Sequence, residues 1–300
     1  MAKLPTYDEV LREEAARLKR DALRRASGER VLTHVPTGFE KLDAEYGGVR
    51  LGVVTELMAH TGDGKSSFLR QCAEGAARAG SGVLWFVAED PRDATAERQL
   101  SGDTGIGTSV LGRLELDQGQ LASVERAAVA AGPWAKRVLP VFEDQTWESV
   151  LTAIDQVQTV GGAPVQLVLV DYAQVLGSSK SLEDDIANLG KGLHARARKR
   201  GFATMVGSQV STEVIKRGRE AWYQKRDISQ IRPSLGDTEW CKRLEKLTKA
   251  VWSLVRPNRW LREFGENAED DSAELHVIKS NFGPMGWVQL NWEGPSCRFL

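Results

Sequence analysis

Residues 59–67 combine two glycines, a lysine and two serines in an order typical of phosphate-binding loops. The segment reads Ala-His-Thr-Gly-Asp-Gly-Lys-Ser-Ser, with alanine where such loops usually begin with glycine. Gly62 and Gly64 allow the backbone to turn so that successive N–H groups point at phosphate oxygens. Lys65 adds a positive charge for the β- and γ-phosphates, and the Ser66 hydroxyl can ligate Mg²⁺. The sequence therefore predicts a site for a nucleoside triphosphate with Mg²⁺.

The loop lies between a predicted strand and a predicted helix, which is the context that phosphate-binding loops require. Residues 53–58 form an apolar β-like run, and residues 66–78 carry apolar side chains at helical spacing. A glycine-rich turn that arose by chance would rarely combine this context with the lysine. The residues that we expect to bind the nucleotide are Thr61, Gly62, Asp63, Gly64, Lys65, Ser66 and Ser67.

An aspartate, Asp171, follows the apolar run at residues 165–170. In phosphate-loop proteins, an acid at the end of such a strand holds the Mg²⁺ shell opposite the loop serine. A buried strand followed by an aspartate is common, so the upstream loop is what gives Asp171 this meaning. We therefore predict that Ser66 and Asp171 are the residues that hold Mg²⁺.

Two further polar residues, Glu89 and Gln209, follow the predicted strands at residues 83–87 and 202–206. Parallel strands deliver their carboxyl ends to one crevice, so Glu89 is placed to act as the general base that activates the attacking water. Its structural alternative is an acid that caps the helix after Pro91. Gln209 can hydrogen-bond the γ-phosphate and transmit its loss to the following segment. The alternative for Gln209 is an ordinary amide at a strand end.

Short apolar runs alternate with stretches of helical periodicity along most of the chain. The predicted strands are residues 53–58, 83–87, 138–142, 165–170, 202–206 and 250–255. The predicted helices are residues 66–78, 92–100, 119–131, 146–159 and 182–200. This alternation predicts an α/β fold with a mostly parallel central sheet covered on both faces. Residues 276–280 and 287–292 flank a turn rich in glycine and predict a closing β-hairpin.

The first 30 residues differ from the rest and predict a separate linker helix. Leu11, Ala15, Leu18 and Ala22 repeat at 4-3-4 spacing on an otherwise charged helix. Such a narrow apolar stripe needs a partner, which is either the helix's own domain or a neighbouring subunit. The chain is thus divided into residues 1–30, a linker helix and linker, and residues 31–300, one large α/β domain.

Composition sets softer limits on the class of protein. The chain has 300 residues, a formal net charge of −1 and three cysteines with no C-x-x-C pair. The odd number of scattered cysteines is typical of a reduced cytoplasmic protein without a cysteine metal site. No segment predicts a signal peptide or a membrane span. A near-neutral protein that binds a polyanion must do so through a local basic patch.

Such a patch occurs between residues 209 and 235, a segment in which we find no apolar periodicity. Loops of this length in compact domains are usually functional or disordered. Cations can neutralise backbone phosphates, and the neighbouring aromatic pair Trp222 and Tyr223 either stacks on bases or buttresses the loop. The alternative is a mobile, solvated loop. With Lys180 from the shorter loop after Asp171, the cations that this patch would offer to a polyanion such as DNA are Lys180, Lys216, Arg217, Arg219, Lys225 and Arg226.

Several motifs, taken in order, resemble the C-terminal motor domain of DnaB-type replicative helicases. They are Val35-Pro36-Thr37-Gly38-Phe39-Glu40-Lys41-Leu42-Asp43, Gly47-Gly48, the alanine-initiated loop, Glu89 with Pro91, Asp171-Tyr172-Ala173-Gln174, Gly207-Ser208-Gln209, and Lys279 with Gly283-Pro284-Met285-Gly286. The resemblance runs from about residue 35 to residue 299. It implies a RecA-like ATPase core that assembles as a homo-hexameric ring around single-stranded DNA. Such motors bind ATP at subunit interfaces and move 5′→3′.

The same resemblance has consequences for partners. It makes the N-terminal helix similar to the family's linker helix, which packs on the adjacent protomer. It also points to a primase or a helicase loader as further partners. The given sequence begins at this helix, so we expect a motor stripped of the family's N-terminal primase-contacting domain, such as occurs in a phage or plasmid.

Three cationic roles near the C-terminus follow only from the resemblance. Lys279 matches a lysine that acts on the neighbouring subunit's nucleotide, but Asn281 stands where the family has a trans-acting arginine. An arginine finger can supply a factor of about 10³–10⁵ in rate. Either Lys279 suffices, or another cation such as Arg259 or Arg262 reaches across, or hydrolysis is slow. Arg256 either stacks on the adenine base or is a solvated arginine at a strand end.

Three functions remain in competition at this point. The leading hypothesis is an ATP-driven DNA helicase or translocase in which Lys65, Glu89, Asp171, Gln209 and Lys279 perform the chemistry. The second is a RecA-like recombinase whose head-to-tail contact builds an open filament rather than a ring. The third is an ATP-gated assembly or loading factor in which the asparagine marks lost turnover.

Overall fold

The computed structural model describes residues 5–143, 145–176, 181–225, 228–239 and 242–300, and the chain divides into two compact units between Thr33 and His34. The first unit is dominated by helix α1, Tyr7–Ala26. Thr6 begins this helix with a capping box, because its hydroxyl accepts from the Glu9 backbone N–H while the Glu9 carboxylate accepts from the Thr6 N–H at 2.6 Å. The N-terminal helix predicted within residues 1–30 is therefore present.

The second unit contains the sheet and the remaining helices, numbered in chain order. The strands are β1 His34–Val35, β2 Val49–Arg50, β3 Val54–Ala59, β4 Gly82–Val87, β5 Val138–Val141, β6 Thr159–Val160, β7 Ala163–Asp171, β8 Ala203–Gln209, β9 Ala250–Val255, β10 Ser272–Ser280, β11 Gly286–Glu293 and β12 Arg298–Phe299. The helices are α2 Glu40–Tyr46, α3 Lys65–Arg78, α4 Arg92–Thr104, α5 Thr108–Gly112, α6 Gln118–Ala135, α7 Trp147–Gln156, α8 Leu182–Arg200, α9 Thr212–Tyr223, α10 Lys242–Leu247 and α11 Pro257–Phe264.

The main sheet has the strand order β12-β11-β10-β9-β3-β8-β7-β4-β5. The pairs from β9 to β5 are parallel, whereas β10, β11 and β12 add an antiparallel ribbon at one side. The predictions of a mostly parallel sheet and a closing hairpin are thus confirmed. Ala59 is in register with Gln209, and Val87 with Asp171, so these strands end together at one side of the sheet. We call this side the carboxyl edge, and the side where the parallel strands begin the amino edge.

Helices cover both faces of the sheet, which explains why the central strands are apolar without alternation. On one face, α3 inserts Phe68, which stacks on Phe39 with ring centroids 4.8 Å apart. On the other face, α7 and α8 contribute Leu151, Ile186 and Leu193 to a second cluster. Every residue of β3 and β4 is buried. The strands that end beside the phosphate-binding loop are therefore fixed from both sides.

One prediction about the fold is wrong. Residues 212–223, expected to be part of an irregular loop, form helix α9. Val214, Gly218 and Ala221 lie at the helical spacing i, i+4, i+7 and are buried. Gly218 permits a close contact, because a Cβ there would lie 1.9 Å from Cγ2 of Ile231. The periodicity is present in the sequence but is carried partly by small residues among many charged ones.

None of the described helices is long and apolar enough to cross a bilayer.

Candidate nucleotide-binding site

The phosphate-binding loop joins β3 to α3 at the carboxyl edge. Gly62 and Gly64 have φ angles of +80° and +94°, a left-handed conformation that glycine adopts without steric cost. Space is a second constraint, since a Cβ on Gly64 would lie 2.7 Å from the Phe299 ring. The backbone N–H groups in the first turn of α3, from Lys65 onward, have no partner within their own helix, as in any helix. This loop and helix terminus can bind an anion.

The loop lysine is held by the acid at the end of β7. Lys65 Nζ donates to Oδ1 of Asp171 at 2.8 Å, and the two side chains are only 10 % and 1 % exposed. The ammonium also lies 4.0 Å from the centroid of the Tyr172 ring. Removing one partner of such a buried pair would leave an uncompensated charge, so the two residues are energetically coupled. The structure thus brings together the predicted phosphate lysine and the predicted metal acid.

Glu89 lies at the same place on the neighbouring strand. β4 and β7 are paired up to Val87 and Asp171, and the Ala88 N–H donates to the Asp171 carbonyl oxygen at 2.9 Å. The Glu89 side chain is half-buried and lines the groove beside the loop. Burial raises the pKa of its carboxyl group, with the Asp171 charge acting in the same direction and Lys65 opposing it. A raised pKa is the adjustment that general bases need near neutral pH.

The alternative role for Glu89 as a helix cap is not observed. Helix α4 begins at Arg92, its N-cap is Pro91, and the side chain that accepts from a backbone N–H in its first turn is that of Asp93, from Ala94 at 2.9 Å. The Glu89 carboxylate is therefore left for the groove rather than for the helix.

Gln209 connects the loop to the segment that contains α9. Its amide nitrogen Nε2 donates to Oγ1 of Thr61 at 2.7 Å. Its backbone oxygen accepts from the N–H of Glu239 at 2.9 Å and from Nε2 of Gln174 at 3.4 Å. A change at the loop can thus reach, through one residue, the turn after β7 and the segment after β8.

Asp63 has a different place from the other loop residues. Its carboxylate is fully buried, accepts from Trp260 Nε1 at 3.1 Å and pairs with Arg259 Nη1 at 2.8 Å. Burial is the main influence on this carboxyl and raises its pKa. Arg259 also donates to the Thr61 carbonyl oxygen at 2.8 Å. These contacts fasten the loop to α11, and the Asp63 side chain does not line the groove.

The groove at the loop has a volume of about 260 Å³. It contains the loop residues Thr61, Gly62, Gly64, Lys65, Ser66 and Ser67 together with Glu89 and Gln209. It also contains Tyr172, from the motif Asp171-Tyr172-Ala173-Gln174, and four residues that the sequence did not single out, namely Asp90, Arg98, Trp292 and Cys297. Arg98 comes from α4 and is paired with Asp90. No group of three potential metal-ligating side chains occurs among the described residues, so a metal here would depend on phosphate oxygens and water as well.

Arg256 is neither solvated nor free. It is 8 % exposed, and its guanidinium carbon lies 4.5 Å from the centroid of the Trp292 ring. It donates to the Gly62 carbonyl oxygen at 3.4 Å and pairs with Asp271 at 3.3 Å. The alternative of a solvated arginine is therefore wrong. Trp292 comes from β11, on the antiparallel ribbon, so only the fold brings the two residues together.

Lys279 lies at the other end of the sheet. In β10 it is in register with Val251, near the start of β9, whereas Leu254 is the residue of β9 that pairs with Ala59. Three residues of strand separate these positions by about 10 Å. Lys279 Nζ donates to the Glu245 carbonyl oxygen of α10 at 2.7 Å. Lys279 therefore does not belong to the phosphate-binding loop of its own chain.

The two arginines named as alternatives to the missing finger are engaged within the chain. Arg259 binds the loop, as described above, and its second nitrogen pairs with Glu263 at 3.1 Å. Arg262 pairs with Asp271 and donates to the carbonyl oxygens of Ala268 and Asp270 at 2.9 and 3.0 Å. Each would have to give up these contacts in order to reach another subunit.

The predicted DNA-binding cations are only partly available. Lys216 pairs with Glu213 at the exposed surface of α9. Arg217 forms a bidentate pair with Asp237, at 3.0 and 3.3 Å. The guanidinium carbon of Arg219 lies 5.5 Å from the centroid of the Phe264 ring. Lys225 is exposed and follows α9 with a φ of +52°. Lys180 and Arg226 lie outside the described residues.

Comparison with known proteins identifies relatives for nearly the whole chain. A family model described as the DnaB-like helicase C-terminal domain matches residues 34–300. The replicative DNA helicase DnaB of Mycoplasma genitalium is 23 % identical over 98 % of this chain and 61 % of its own length. That of Rhodothermus marinus is 28 % identical over 78 % of this chain and 25 % of its own length. The chain spans about three fifths of the first of these relatives.

Solved structures agree on the fold. One, described as an ATPase domain, superimposes with a TM-score of 0.79 at 20 % identity, covering 99 % of both chains. A DnaB-like replicative helicase, solved to describe its interactions with primase, gives a TM-score of 0.77 at 20 % identity and covers 99 % of this chain and 67 % of its own. The predicted family resemblance and the RecA-like α/β fold are confirmed by these matches.

Proposed function

The chain belongs to the family of DnaB-like helicase C-terminal domains, and from this premise we propose that it hydrolyses ATP to move along single-stranded DNA and unwind duplexes. The observation that supports the proposal most is the convergence of Lys65, Asp171 and Glu89 beside a glycine-containing loop. Lys65 and Glu89 line one groove, and Asp171 lies directly behind Lys65, so a lysine for phosphate, an acid for a metal and a base of raised pKa would be within reach of one nucleotide. The matched helicases favour neither a filament-forming recombinase nor a loading factor.

Binding of the triphosphate would rearrange the pair of Lys65 and Asp171. The ammonium would turn from the carboxylate to the β- and γ-phosphates, which carry more negative charge. The freed Asp171 carboxylate and the Ser66 hydroxyl are hard oxygen donors that would hold Mg²⁺. When bound, the metal neutralises charge on the phosphate oxygens during transfer. The existing ion pair keeps both side chains oriented until the nucleotide replaces it.

The hydrolytic step would depend on Glu89 and on a cation from a second subunit. Glu89 accepts the proton of the attacking water, and its raised pKa increases its basicity. Lys279 would approach the γ-phosphate of the neighbouring subunit, because its own loop lies at the opposite edge of the sheet. ATP cleavage would thus need two protomers, as in a homo-hexameric ring whose interfaces are all of one kind.

The nucleotide base would contact Trp292. The indole lines the groove, while the guanidinium carbon of Arg256 lies 4.5 Å and the Phe299 ring 4.8 Å from its centroid. A base can stack on the accessible part of this ring, or enter between the ring and Arg256 if the two separate. In either arrangement an aromatic side chain binds the base through its face. Arg256 then acts as a support for the indole as much as a direct contact.

Coupling to DNA would run through Gln209. This residue binds the loop through Thr61 and continues into the segment that carries α9. We propose that α9 and its flanking residues contact the phosphate backbone, with Lys216, Arg219 and Lys225 the most available cations. Arg217 would join them only if its pair with Asp237 opened. Lys180 and Arg226 remain proposals from the sequence, as do contact with a primase or loader and the docking of α1 on an adjacent protomer.

The substitution Glu89→Gln tests the enzymatic part of the proposal. It should leave the affinity for a non-hydrolysable ATP analogue within about threefold of the wild type and lower single-strand-stimulated hydrolysis by about 10²-fold or more. Glu97→Gln in α4, which removes a nearby acid outside the groove, is the matched control and should retain activity. Hydrolysis by Glu89→Gln at the wild-type rate would overturn the assignment of the base.

A further inference from the structure

A second basic surface lies far from the phosphate-binding loop of the same chain. It is a groove of about 640 Å³ between the C-terminal half of α8 and the junction of α10 with β9. Its charged and titratable members are Lys191, His194, Arg198, Lys199, Lys246 and Lys249. No acidic side chain lines the groove among the described residues. Five cations in one groove contrast with a formal net charge of −1 for the chain.

Two features of the sequence build this groove. Lys191, His194 and Arg198 are spaced at i, i+3 and i+7, so they lie on one side of α8 over about 10 Å. Gly190 lets α10 approach this helix, because a Cβ there would lie 2.8 Å from Cδ1 of Leu244. The approach places Lys246, two residues further along the chain, beside the row on α8.

The cations are not neutralised by the rest of the described chain. None of the five makes an ion pair or a side-chain hydrogen bond there. Lys199 interacts weakly with the carboxylate of Asp155, but Arg196 already pairs with that carboxylate at 2.6 Å. The groove therefore carries a net positive potential that an external anion could satisfy.

His194 lies among these cations and has an unused ring nitrogen. Its ring nitrogen Nδ1 is buried without a hydrogen-bond partner among the described residues. Burial lowers the pKa of the imidazole, and the charges of Arg198 and Lys249 lower it further. An anionic ligand bound here would offset the positive charges of Arg198 and Lys249, and it could accept a hydrogen bond from the unused ring nitrogen of His194.

The position of the groove separates it from the sites already described. α8 ends just before β8 starts at Ala203, and Lys249 directly precedes β9 at Ala250. The cations at the C-terminal end of α8, together with Lys249, thus lie at the amino edge of the sheet. The phosphate-binding loop and Gln209 lie at the opposite, carboxyl edge. Neither the phosphates of a nucleotide at the chain's own loop nor a strand bound at the start of α9 would occupy this surface. The groove does border Lys279, whose ammonium donates to the Glu245 carbonyl oxygen next to Lys246.

We propose that this groove binds the phosphate backbone of a DNA strand as a second contact, beyond the one that the motor function itself requires. The binding is independent of sequence, because lysine and arginine at this spacing recognise charge rather than base edges. An acidic run of a second copy, residues 266–271, is a weaker candidate. Asp271 in that run is already paired with Arg256 and Arg262 within its own chain.

The salt dependence of DNA binding tests the proposal. We compare the full chain, with Mg²⁺ and a non-hydrolysable ATP analogue, against the triple variant Lys191→Ala, Arg198→Ala and Lys246→Ala, using labelled poly-dT long enough to reach both surfaces. Each lost phosphate contact reduces the slope of log K against log salt by about 0.7 for single strands, so a reduction of about 2 is expected. The control variant removes three exposed cations elsewhere, Lys41, Arg126 and Lys136, and should not change the slope.

Cross-linking provides a direct second measurement. p-Benzoylphenylalanine in place of Ala195, which is exposed in the groove, should form a covalent adduct with DNA on irradiation. The same probe at Ala128 on α6 is the control. An unchanged salt slope without an adduct at Ala195 would overturn the proposal. A triple variant with altered assembly mass but the wild-type slope would assign the groove to a second copy instead.

The proposal can fail separately from the motor function. Lys65→Ala should abolish hydrolysis and leave the adduct at Ala195 in place, because the groove does not use the phosphate-binding loop. Loss of the adduct together with retained hydrolysis in the triple variant would confirm that two surfaces act independently. Retention of the adduct in the triple variant would show that these three cations do not hold the strand.

Discussion

Glu56→Gln should make the protein more stable at neutral pH, although it removes an ionisable group from the middle of the sheet. Glu56 lies in β3 between Val206 of β8 and Val251 of β9. It is fully buried, and neither carboxyl oxygen has a hydrogen bond of good geometry among the described residues. Burial raises the pKa of this carboxyl to about 8, and the opposing influences of Ser208 and Lys279 do not offset it.

The magnitude follows from proton linkage. The unfolded chain loses the Glu56 proton near pH 4.5, whereas the folded chain keeps it until about pH 8. Below pH 4.5, Glu56 is protonated in both the folded and the unfolded chain, so it does not lower the free energy of unfolding relative to glutamine. As the pH rises toward 8, folding must retain a proton that the unfolded chain releases, at about 1.4 kcal/mol per pH unit. At pH 7 the destabilisation is about 3 kcal/mol, and glutamine, which is neutral at every pH, avoids it.

Urea unfolding of the nucleotide-free chain between about pH 5 and 8.5, at one protein concentration, measures the difference. Glu56→Gln should gain on the wild type steadily as the pH rises, while the partly exposed control Glu97→Gln should run parallel to the wild type. Parallel profiles for Glu56→Gln would refute the reasoning. A wild type that is the more stable protein at the alkaline end of the range would mean that Glu56 is ionised and paired.

Two further predictions concern Glu274, a carboxyl whose pKa is lowered rather than raised by folding, and Trp292, which would contact the nucleotide base. Glu274 is paired with Arg232 at 2.6 Å. Burial opposes ionisation of Glu274, but the hydrogen bonds of Arg232 and His276 lower its pKa to about 2. Glu274→Gln should therefore lower the free energy of unfolding by up to about 3 kcal/mol at pH 7. This cost should shrink as the pH falls below 4.5, and urea unfolding that shows a constant cost would contradict it. Trp292→Ala should raise KM for ATP by about tenfold with little change in kcat, because base stacking contributes about 1–3 kcal/mol. Trp292→Phe should restore KM, and steady-state kinetics with an unchanged KM for Trp292→Ala would exclude the stacking role.

The sequence predicted those parts of the site whose functional residues are neighbours in the chain or directly follow an apolar strand. The glycines, lysine and serine of residues 59–67 are contiguous, so their geometry follows from one turn between a strand and a helix. Asp171, Glu89 and Gln209 each end an apolar run, and parallel pairing brings such ends together whatever the order of the strands. The register of the sheet places these strand ends at one edge without any further assumption.

The missed residues depend on contacts that no local pattern encodes. Trp292 reaches the groove from a strand more than two hundred residues after the loop, because β11 belongs to the ribbon beside β9. Arg98 lies on α4, and only the orientation of that helix turns its side chain toward the loop. A scan for charged residues on the helix after Glu89 could have found Arg98, but no comparable signal marks Trp292.

Helix α9 escapes sequence-based prediction for a physical reason of another kind. Its buried stripe uses Gly218 and Ala221, and glycine lowers the intrinsic preference for helix by about 1 kcal/mol relative to alanine. Tertiary packing compensates, since the missing side chain admits Ile231. Treating the small residues as part of an apolar stripe, rather than as breakers, would have predicted the helix.

The central claim is that one ATP is cleaved between Lys65 of one protomer and Lys279 of the next, and subunit mixing tests it most directly. Lys65→Ala and Lys279→Ala should each be inactive alone. Mixed assemblies, isolated by two different affinity tags, should recover activity at interfaces that join an intact loop to an intact Lys279, about a quarter of all interfaces in a random equal mixture. No recovery in assemblies shown to contain both chains, or full activity of Lys279→Ala alone, would contradict the claim.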